Sequence, residues 1–336
     1  MAGAPRGGAE LFYERLVRAQ SRQPGLRVLP VIRAEPGRIG RLRASGVEPV
    51  GLRFGGALDW RTRPALRRTL RHFAPDIAIA WMNRAASRLP QGDWVSAGRL
   101  GGFYDLENYR HCRHLIGNTR GLVHWMVEQG RDPATTHYVP NFADDLRGAL
   151  PAALPAGVSP GRVVLALGRL HRNKAFDVLI RAIARVPGAS LLIAGEGPER
   201  DALEALIRAV GVADRVFLLG WRTDGAALLA ASDVLCCPSR HEPLGNVVIE
   251  GFSADRPVVA CDADGPCELI VPERNGLLVP REDDATLGAA LARVLDDRPF
   301  AAGLARAGRA TYEAAFSESV VLERWRERLT AMTGRG

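Results

Sequence analysis

The chain has 336 residues, 47% of them hydrophobic and 24% charged, with a formal net charge of +8 and five cysteines. That is enough for two globular domains with their own cores. It excludes a spanning helix, since no apolar run approaches the ~18 residues one requires, and an odd cysteine count with an adjacent pair, Cys236-Cys237, argues against a disulfide framework or zinc spacing. The start, Met1 to Gly8, has no apolar run after its charge and does not read as a secretory signal. Free thiols suit a reducing, cytoplasmic setting.

Charge and residue choice are uneven. Residues 1–150 carry 23 arginines against 13 acidic residues, a net of +10, which leaves −2 for the rest. The basic half should face something anionic, whether nucleic acid, a phospholipid surface or a phosphorylated acceptor. Of the 45 basic residues 44 are arginine, and Lys174 is the sole lysine. Either it escaped the bias at a surface position, or it marks a site that needs a slender point charge, of which phosphate is the usual partner.

In chain order, the glycine turn Gly7-Gly8 precedes a helix over Glu10–Gln20, while only Met1 to Ala4 remain for a strand before it. That first strand is either a stub or begins upstream. A strand follows at Leu26–Ile32, a basic helix at Gly37–Ser45, and a weak strand near Val47–Leu52. Residues Asp59–Phe73 form a helix bearing Arg61, Arg63, Arg67, Arg68 and Arg71, which suits an anionic phospholipid surface or a solvated face. Strands are expected at Asp76–Ala80, Asp93–Ala97, His114–Gly117 and His137–Val139. The stretch 141–161, with Pro151, Pro155 and Pro160 among alanines, reads as a connection. Six further strands follow, at Arg162–Leu167, Ser190–Ala194, Arg215–Leu219, Val234–Cys237, Pro257–Cys261 and Gly276–Val279. Strands alternating with helices predict α/β architecture with parallel sheets covered on both faces. The boundaries read as 1–148, 149–316 and an amphipathic terminal helix with tail at 317–336, whose Val320, Val321, Trp325 and Leu329 need a surface to cover.

The stretch Arg240-His-Glu242-Pro-Leu-Gly245-Asn246-Val247-Val-Ile-Glu250 follows the strand Val234–Cys237 and opens a helix. Pro243 and Gly245 delay the helix, so the amides of residues 245 to 247 form an anion seat at its start, with Gly245 or Asn246 as N-cap. Glu242 lies before that seat and Glu250 a turn inside. Two carboxylates flanking an anion seat suit a ligand with phosphates in its middle and hydroxyl-rich sugars at its ends, a nucleotide sugar. In the turn Gly168-Arg169-Leu-His-Arg-Asn-Lys174, Arg169 and Lys174 suit a diphosphate and would neutralise a leaving nucleotide without metal. Gly195-Glu-Gly197-Pro198 reads as a tight turn, and Asp262-Ala-Asp264 as a turn in preference to a metal-binding pair. Phe103, Tyr104 and Tyr109 either line an acceptor pocket or belong to the core.

Taken as an ordered set, Gly168-Arg169 with Lys174, Gly195-x-Gly197-Pro198, Glu242 and Glu250 with seven residues between, and Asp264-Gly-Pro-x-Glu268 resemble the retaining GT-B glycosyltransferases of family four. The likeness is dense over residues 137–330 and thinner in the first half, through Gly7-Gly8-Ala-Glu10 and Val139-Pro-Asn141. It implies two Rossmann-like doubly wound domains facing a cleft, with the C-terminal helix crossing back to the first. It also implies a metal-independent, hexosyltransferase-like enzyme that retains anomeric configuration and serves cell-surface polysaccharide or lipopolysaccharide synthesis. The donor is a nucleotide-diphosphate sugar and the acceptor a glycan or lipid-linked molecule. By the same resemblance Glu242, Arg169 and Lys174 are catalytic, Glu250, Gly245, Asn246, Val247, Gly7 and Gly8 bind donor, and Arg99 and Tyr104 lie on the acceptor side. The chain departs from the pattern in three places. Asp255 stands where glycine is usual, Gly251 where alanine is usual, and Arg99 where many members have a histidine. The rival readings are an epimerase or a phosphorylase on the same fold, a nucleotide-sugar-binding protein without catalysis, and a non-catalytic basic protein that binds nucleic acid or membrane. Against nucleic acid, the basic residues are not interleaved with aromatics.

Overall fold

The computed structural model describes residues 1–3, 7–55, 59–158 and 160–334. They divide into two compact units, Met1–Asn141 with Glu318–Gly336, and Phe142–Ser317. The first boundary falls at Asn141, earlier than the expected 148, because the next residues pack with the second unit. The Ala143 amide donates to the Phe316 carbonyl (3.2 Å), the Tyr312 hydroxyl to the Ala143 carbonyl (3.1 Å), and Arg309 pairs with Asp145 (2.6 Å).

The first unit runs α1 (Gly8–Ser21), β1 (Val31–Arg33), α2 (Pro36–Ala44), β2 (Val50–Leu52), α3 (Thr62–Phe73), β3 (Ile77–Trp81), α4 (Met82–Ala86), β4 (Val95–Leu100), β5 (His114–Gly117), α5 (Arg120–Glu128) and β6 (Thr136–Tyr138). Local chemistry starts the helices. Pro36 sits at the first turn of α2 while the Glu35 carboxylate accepts from the amides of Gly37 and Arg38. The Thr119 hydroxyl caps α5 by accepting from the Leu122 amide at 3.1 Å. Helix α3 turns Thr62, Leu66 and Leu70 inward, and its arginines 63, 67, 68 and 71, with Arg61 ahead of it, are exposed.

All strands of this unit pair in parallel, but in two separate sheets, β1-β2 and β3-β4-β5-β6. The strand expected over Leu26–Ile32 shrinks to Val31–Arg33 for a physical reason: a strand persists where it has a ladder partner, and the pairing with β2 begins only at the Pro30 carbonyl, which accepts from the Val50 amide at 2.9 Å. Among the described residues no strand precedes α1, but residue 1 is hydrogen-bonded to β1. The Met1 amine donates to the Val31 carbonyl at 2.8 Å, and the Arg33 amide to the Met1 carbonyl at 2.9 Å. Beyond those two bonds β1 and β3 face one another across a cavity of about 470 Å³, walled by Val28, Val31, Ile77, Ile79, Leu66 and Val17 among others.

The second unit holds β7 (Val163–Leu167), α6 (Phe176–Ala184), β8 (Ser190–Ala194), α7 (Arg200–Ala209), β9 (Val216–Leu218), α8 (Gly225–Ala231), β10 (Val234–Cys237), α9 (Asn246–Ser253), β11 (Val258–Cys261), α10 (Asp264–Leu269), β12 (Leu277–Val279), α11 (Asp284–Asp296) and α12 (Arg298–Ala315). Its parallel six-stranded sheet has the order β12-β11-β10-β7-β8-β9. Strands β7, β8, β10 and β11 are apolar runs because both faces are covered. Chain order reverses between β7 and β10, and open α/β sheets bind ligands outside the carboxyl ends of strands at such a point.

The terminal helix, Glu318–Thr333, belongs to the first unit. It buries Val321, Leu322, Trp325 and Met332, leaving Val320 and Leu329 partly covered. Trp325 stacks on Trp81 with centroids 6.4 Å apart.

Candidate functional site in the second unit

At the β7/β10 reversal the loop after β7 carries Gly168 to Lys174, and the loop after β10 carries Ser239 to Gly245. They meet in an ion pair between the Lys174 ammonium and the Glu242 carboxylate, with side chains 26% and 13% exposed. The Ser239 hydroxyl donates to the same carboxylate (3.2 Å), and the Gly245 amide to its other oxygen (3.3 Å). Burial pushes the Lys174 ammonium down, but the Glu242 carboxylate, with Cys237 and Glu250, outweighs it, so its proton is held above the usual lysine range. Cys237 lies beside the pair, fully buried; burial and Glu242 push its thiol up to about 11, so it stays protonated and unreactive.

Gly245 caps α9 with φ 82° and ψ 49°, a left-handed conformation that favours glycine. The amides of Gly245, Asn246 and Val247 open the helix, and Glu250 lies one turn inside it, half-buried. The expected anion seat therefore has its helix start at Asn246. Arg169 is exposed at the end of β7, with no ion-pair partner among the described residues.

Glycines bring these loops together. A Cβ on Gly195 would lie 1.8 Å from the Gly168 carbonyl oxygen, and one on Gly197 would lie 2.2 Å from that of Leu170. The two segments are stitched by Gly168 N–H to Ala194 O (3.1 Å), Leu170 N–H to Glu196 O (3.0 Å) and Glu199 N–H to Leu170 O (3.1 Å). The tight turn expected at Gly195 to Pro198 is also the segment on which the loop after β7 packs. These glycines allow the loop after β8 to support the backbone that presents Arg169. Gly265 has the same part beside Leu244, where a Cβ would come within 2.3 Å of backbone. Asp264, expected in a turn, instead opens α10.

One contributor carried no sequence signal. Arg240 donates to Asp177 through both terminal nitrogens (2.8 Å each), to the Arg172 carbonyl (2.7 Å) and to Glu282. Its own amide donates to the Asn173 carbonyl (2.8 Å). It clamps the loop bearing Lys174 to the loop bearing Glu242. Its acidic partners lie 63 and 42 residues away, so no local spacing announces them.

The remaining expected residues lie in the first unit. Gly7 is the extended N-cap of α1 and Gly8 its first residue; a Cβ on Gly7 would strike the Glu10 carboxylate at 2.4 Å. Tyr104 is half-buried, and burial with the nearby Glu10 raises its phenol. Arg99 is 3% exposed. Its guanidinium lies over the rings of Phe12, Trp81 and Trp325 at 5.6, 5.0 and 5.4 Å. It donates to the Val139 carbonyl (3.0 Å) and Asn141 Oδ1 (2.6 Å). Burial lowers it to about 9. In that cage Arg99 ties the terminal helix to β4, and its guanidinium is spent on protein partners. Among the described residues no three His, Cys, Asp or Glu side chains gather as a metal site, and no helix is long and apolar enough to cross a membrane.

Residues 161–297 match the family model described as glycosyl transferases group 1. The lipopolysaccharide core biosynthesis glycosyltransferase LpsD of Rhizobium meliloti is 34% identical over 94% of this chain and 93% of its own length. LpsE of the same organism is 31% identical over 97% and 96%. Among solved structures, Anabaena HepE in complex with UDP-glucose superposes with a TM-score of 0.83 at 20% identity, covering 98% of both chains. A glycosyltransferase from Rickettsia africae gives 0.86 at 15%, covering 100% of this chain and 98% of its own. The two parallel-sheet units are those of the GT-B fold. With relatives matched from end to end and the family model lying on the unit that holds Lys174 and Glu242, the chain belongs to the group 1 glycosyltransferases.

Proposed function

We propose that the enzyme moves a sugar from a nucleoside-diphosphate sugar to a lipid-linked oligosaccharide of the lipopolysaccharide core, with retention of anomeric configuration and without metal. The observation that carries this reading is the arrangement around α9: an amide-lined helix start between Glu242 and Glu250, bordered by the cations Lys174 and Arg169. The diphosphate lies against those amides and cations, whose charge offsets that of the leaving nucleotide as the sugar–phosphate bond breaks. Glu250 accepts from the ribose hydroxyls, and Glu242 contacts the donor sugar and assists transfer. The names of LpsD and LpsE support the acceptor class, and the UDP-glucose bound to HepE supports a uridine donor.

A thermal-shift screen against UDP, GDP, ADP and their common sugars tests the donor. Ligand at about 100 times its dissociation constant adds roughly 2.7 kcal/mol. The expected result is a base-selective shift, insensitive to EDTA, that both Lys174→Ala and Glu250→Ala abolish. No shift with any nucleotide from folded protein refutes the reading. Proton NMR of the product linkage then reads retention directly, and turnover of a nucleotide sugar with no acceptor present favours the epimerase instead.

The exposed arginines 61, 63, 67, 68 and 71 give the acceptor-bearing membrane a place to lie. Trp60 beside them is 73% exposed, with the Arg61 guanidinium 4.9 Å from its ring centroid. An amphipathic indole flanked by cations suits an anionic lipid headgroup layer, which supports a peripheral position at the inner membrane face.

A further inference from the structure

We infer that the cavity between β1 and β3 is the seat of a further parallel β-strand, apolar on both faces and about as long as the five residues of β3, supplied by polypeptide that runs into Met1 from its amino side. Strands β1 and β3 are the facing edges of two sheets that share no ladder among the described residues. A strand edge is a row of amides and carbonyls that need partners once buried.

Bonds already present fix the register of that row. The Val50 amide donates to the Pro30 carbonyl (2.9 Å) and the Ala34 amide to the Leu52 carbonyl (2.8 Å), so even-numbered residues of this segment turn their backbone groups to β2. Odd-numbered residues turn theirs to the cavity, and Met1 meets them there. Its amine donates to the Val31 carbonyl (2.8 Å), and its carbonyl accepts from the Arg33 amide (2.9 Å). One residue bonded on either side of the residue it faces is the repeat of a parallel ladder. Met1 is therefore the last rung of a ladder that can continue over Val31 and Leu29. Pro30, which has no amide to give, lies on the β2 side of the alternation and does not interrupt it. On the opposite wall the Val95 amide donates to the Asp76 carbonyl (2.9 Å), which assigns the even-numbered residues of β3 to β4 and turns the backbone of Ile77 and Ile79 to the cavity.

The side chains around this slot set its chemistry. Leu66 and Leu70 of α3 share a core with Ala78 and Ala80 of β3, whereas Tyr13 of α1 meets Trp81, with centroids 5.2 Å apart. Successive residues of a strand point to opposite faces, so the two helices cover opposite faces of the slot. A strand between them is buried on both faces and reads as a continuous apolar run. The Met1 amine agrees with this. The residue is 4% exposed, and burial, then Arg38, lowers the amine to about 5. A peptide amide in its place would give the Val31 carbonyl the same bond with no charge to desolvate. The added strand joins the two-stranded and four-stranded sheets into one, with chain order reversing beside it, and Gly7-Gly8 then follows a switch point of the kind where open sheets take ligands.

Hydrogen exchange read by NMR tests this on the 336-residue chain and on the same chain extended by the residues that its gene encodes immediately ahead of Met1. In the extended chain the amides of Leu29, Val31, Ile77 and Ile79 should exchange at least about tenfold more slowly. A Gly-Ser extension of equal length should leave all four unchanged, and a proline placed two residues ahead of Met1 should remove the protection, since that amide is the one that reaches the Leu29 carbonyl. An in-frame stop codon directly ahead of Met1, equal exchange in the two chains, or equal protection by the Gly-Ser extension each overturns the inference. Protection that appears in the 336-residue chain as its concentration rises gives the slot to a second copy and overturns it as well.

Discussion

Replacing Gly195 with alanine adds a single methyl group, and the structure says where it would go. Its Cβ would sit 1.8 Å from the Gly168 carbonyl oxygen, whereas real Cβ atoms essentially never come within 3.0 Å of a heavy atom. The two backbones must therefore part by at least about 1.2 Å. That separation strains the bonds from Gly168 N–H to Ala194 O and Leu170 N–H to Glu196 O, each worth ~1 kcal/mol. Overpacking adds roughly 1–3 kcal/mol. A total near 3–5 kcal/mol, if both bonds are lost, lowers the unfolding temperature by roughly 6–20 °C for a unit of this size. Arg169 moves with the loop, and a displacement of about 1 Å costs on the order of 100-fold in turnover. Gly303→Ala is the control, since nothing lies within 4 Å of its Cβ inside α12, and it should stabilise by about 0.5–1 kcal/mol. The assay is thermal unfolding with and without the nucleotide that binds wild type, together with kcat and KM. A Gly195→Ala protein with wild-type stability and kinetics would refute the argument that close backbone approach fixes this glycine.

Arg240→Ala should lower kcat and the unfolding temperature together, because it loosens the clamp between the Lys174 and Glu242 loops; Arg240→Lys should not rescue it, since a point charge cannot bind Asp177 and Glu282 through a planar fork. A kinetic scan of both variants checks this, and full activity in Arg240→Lys would contradict it. In the first unit His114 Nδ1 and His137 Nε2 lie 2.9 Å apart; burial, then His114 and Arg328, lower His137 to about 4, while burial and Arg113 lower His114. A depressed histidine is neutral in the fold and gains its proton on unfolding, so this stability is complete above the unfolded value near 6.5 and is lost as pH falls toward 4. His137→Gln should flatten the unfolding temperature between pH 6.5 and 4, and an unchanged slope would remove the pair from the account. Replacing Arg63, Arg67 and Arg68 with glutamate should abolish salt-sensitive sedimentation with anionic vesicles, each arginine contributing roughly 1 kcal/mol; binding that persists in the triple variant would relocate the contact.

The sequence made some of this legible and hid the rest for physical reasons. Ser190–Ala194 and Val234–Cys237 are read to the residue because strands buried on both faces are continuous apolar runs. Leu26–Ile32 is also mostly apolar, but Pro30 interrupts it and only Val31 and Ile32 of it enter a strand, because an apolar run does not show whether a neighbour is there to pair. The unit boundary was misplaced for a similar reason: Ala143 and Asp145 look like linker until Tyr312 and Arg309 are folded against them. In the site, the single lysine stood out by rarity and Glu242 by its place after a strand. The need for Gly195 and Gly197 lies in another loop's backbone, and Arg240 takes its meaning from acids far along the chain.

The parting of the first unit's strands into two sheets has a consequence for how that unit yields. Among the described residues no ladder runs continuously from β2 to β6, so the β1-β2 pair is held by the two Met1 bonds and by side-chain packing around a cavity of about 470 Å³. Void volume of that kind is what pressure eliminates on unfolding, and small cooperative segments open by themselves. Under hydrostatic pressure the amides of β1 and β2 should exchange with solvent well before those of β4 and β5, and the uninterrupted six-stranded sheet of the second unit should outlast both. The second unit is in that sense the mechanical anchor of the chain, and the first unit the compressible part.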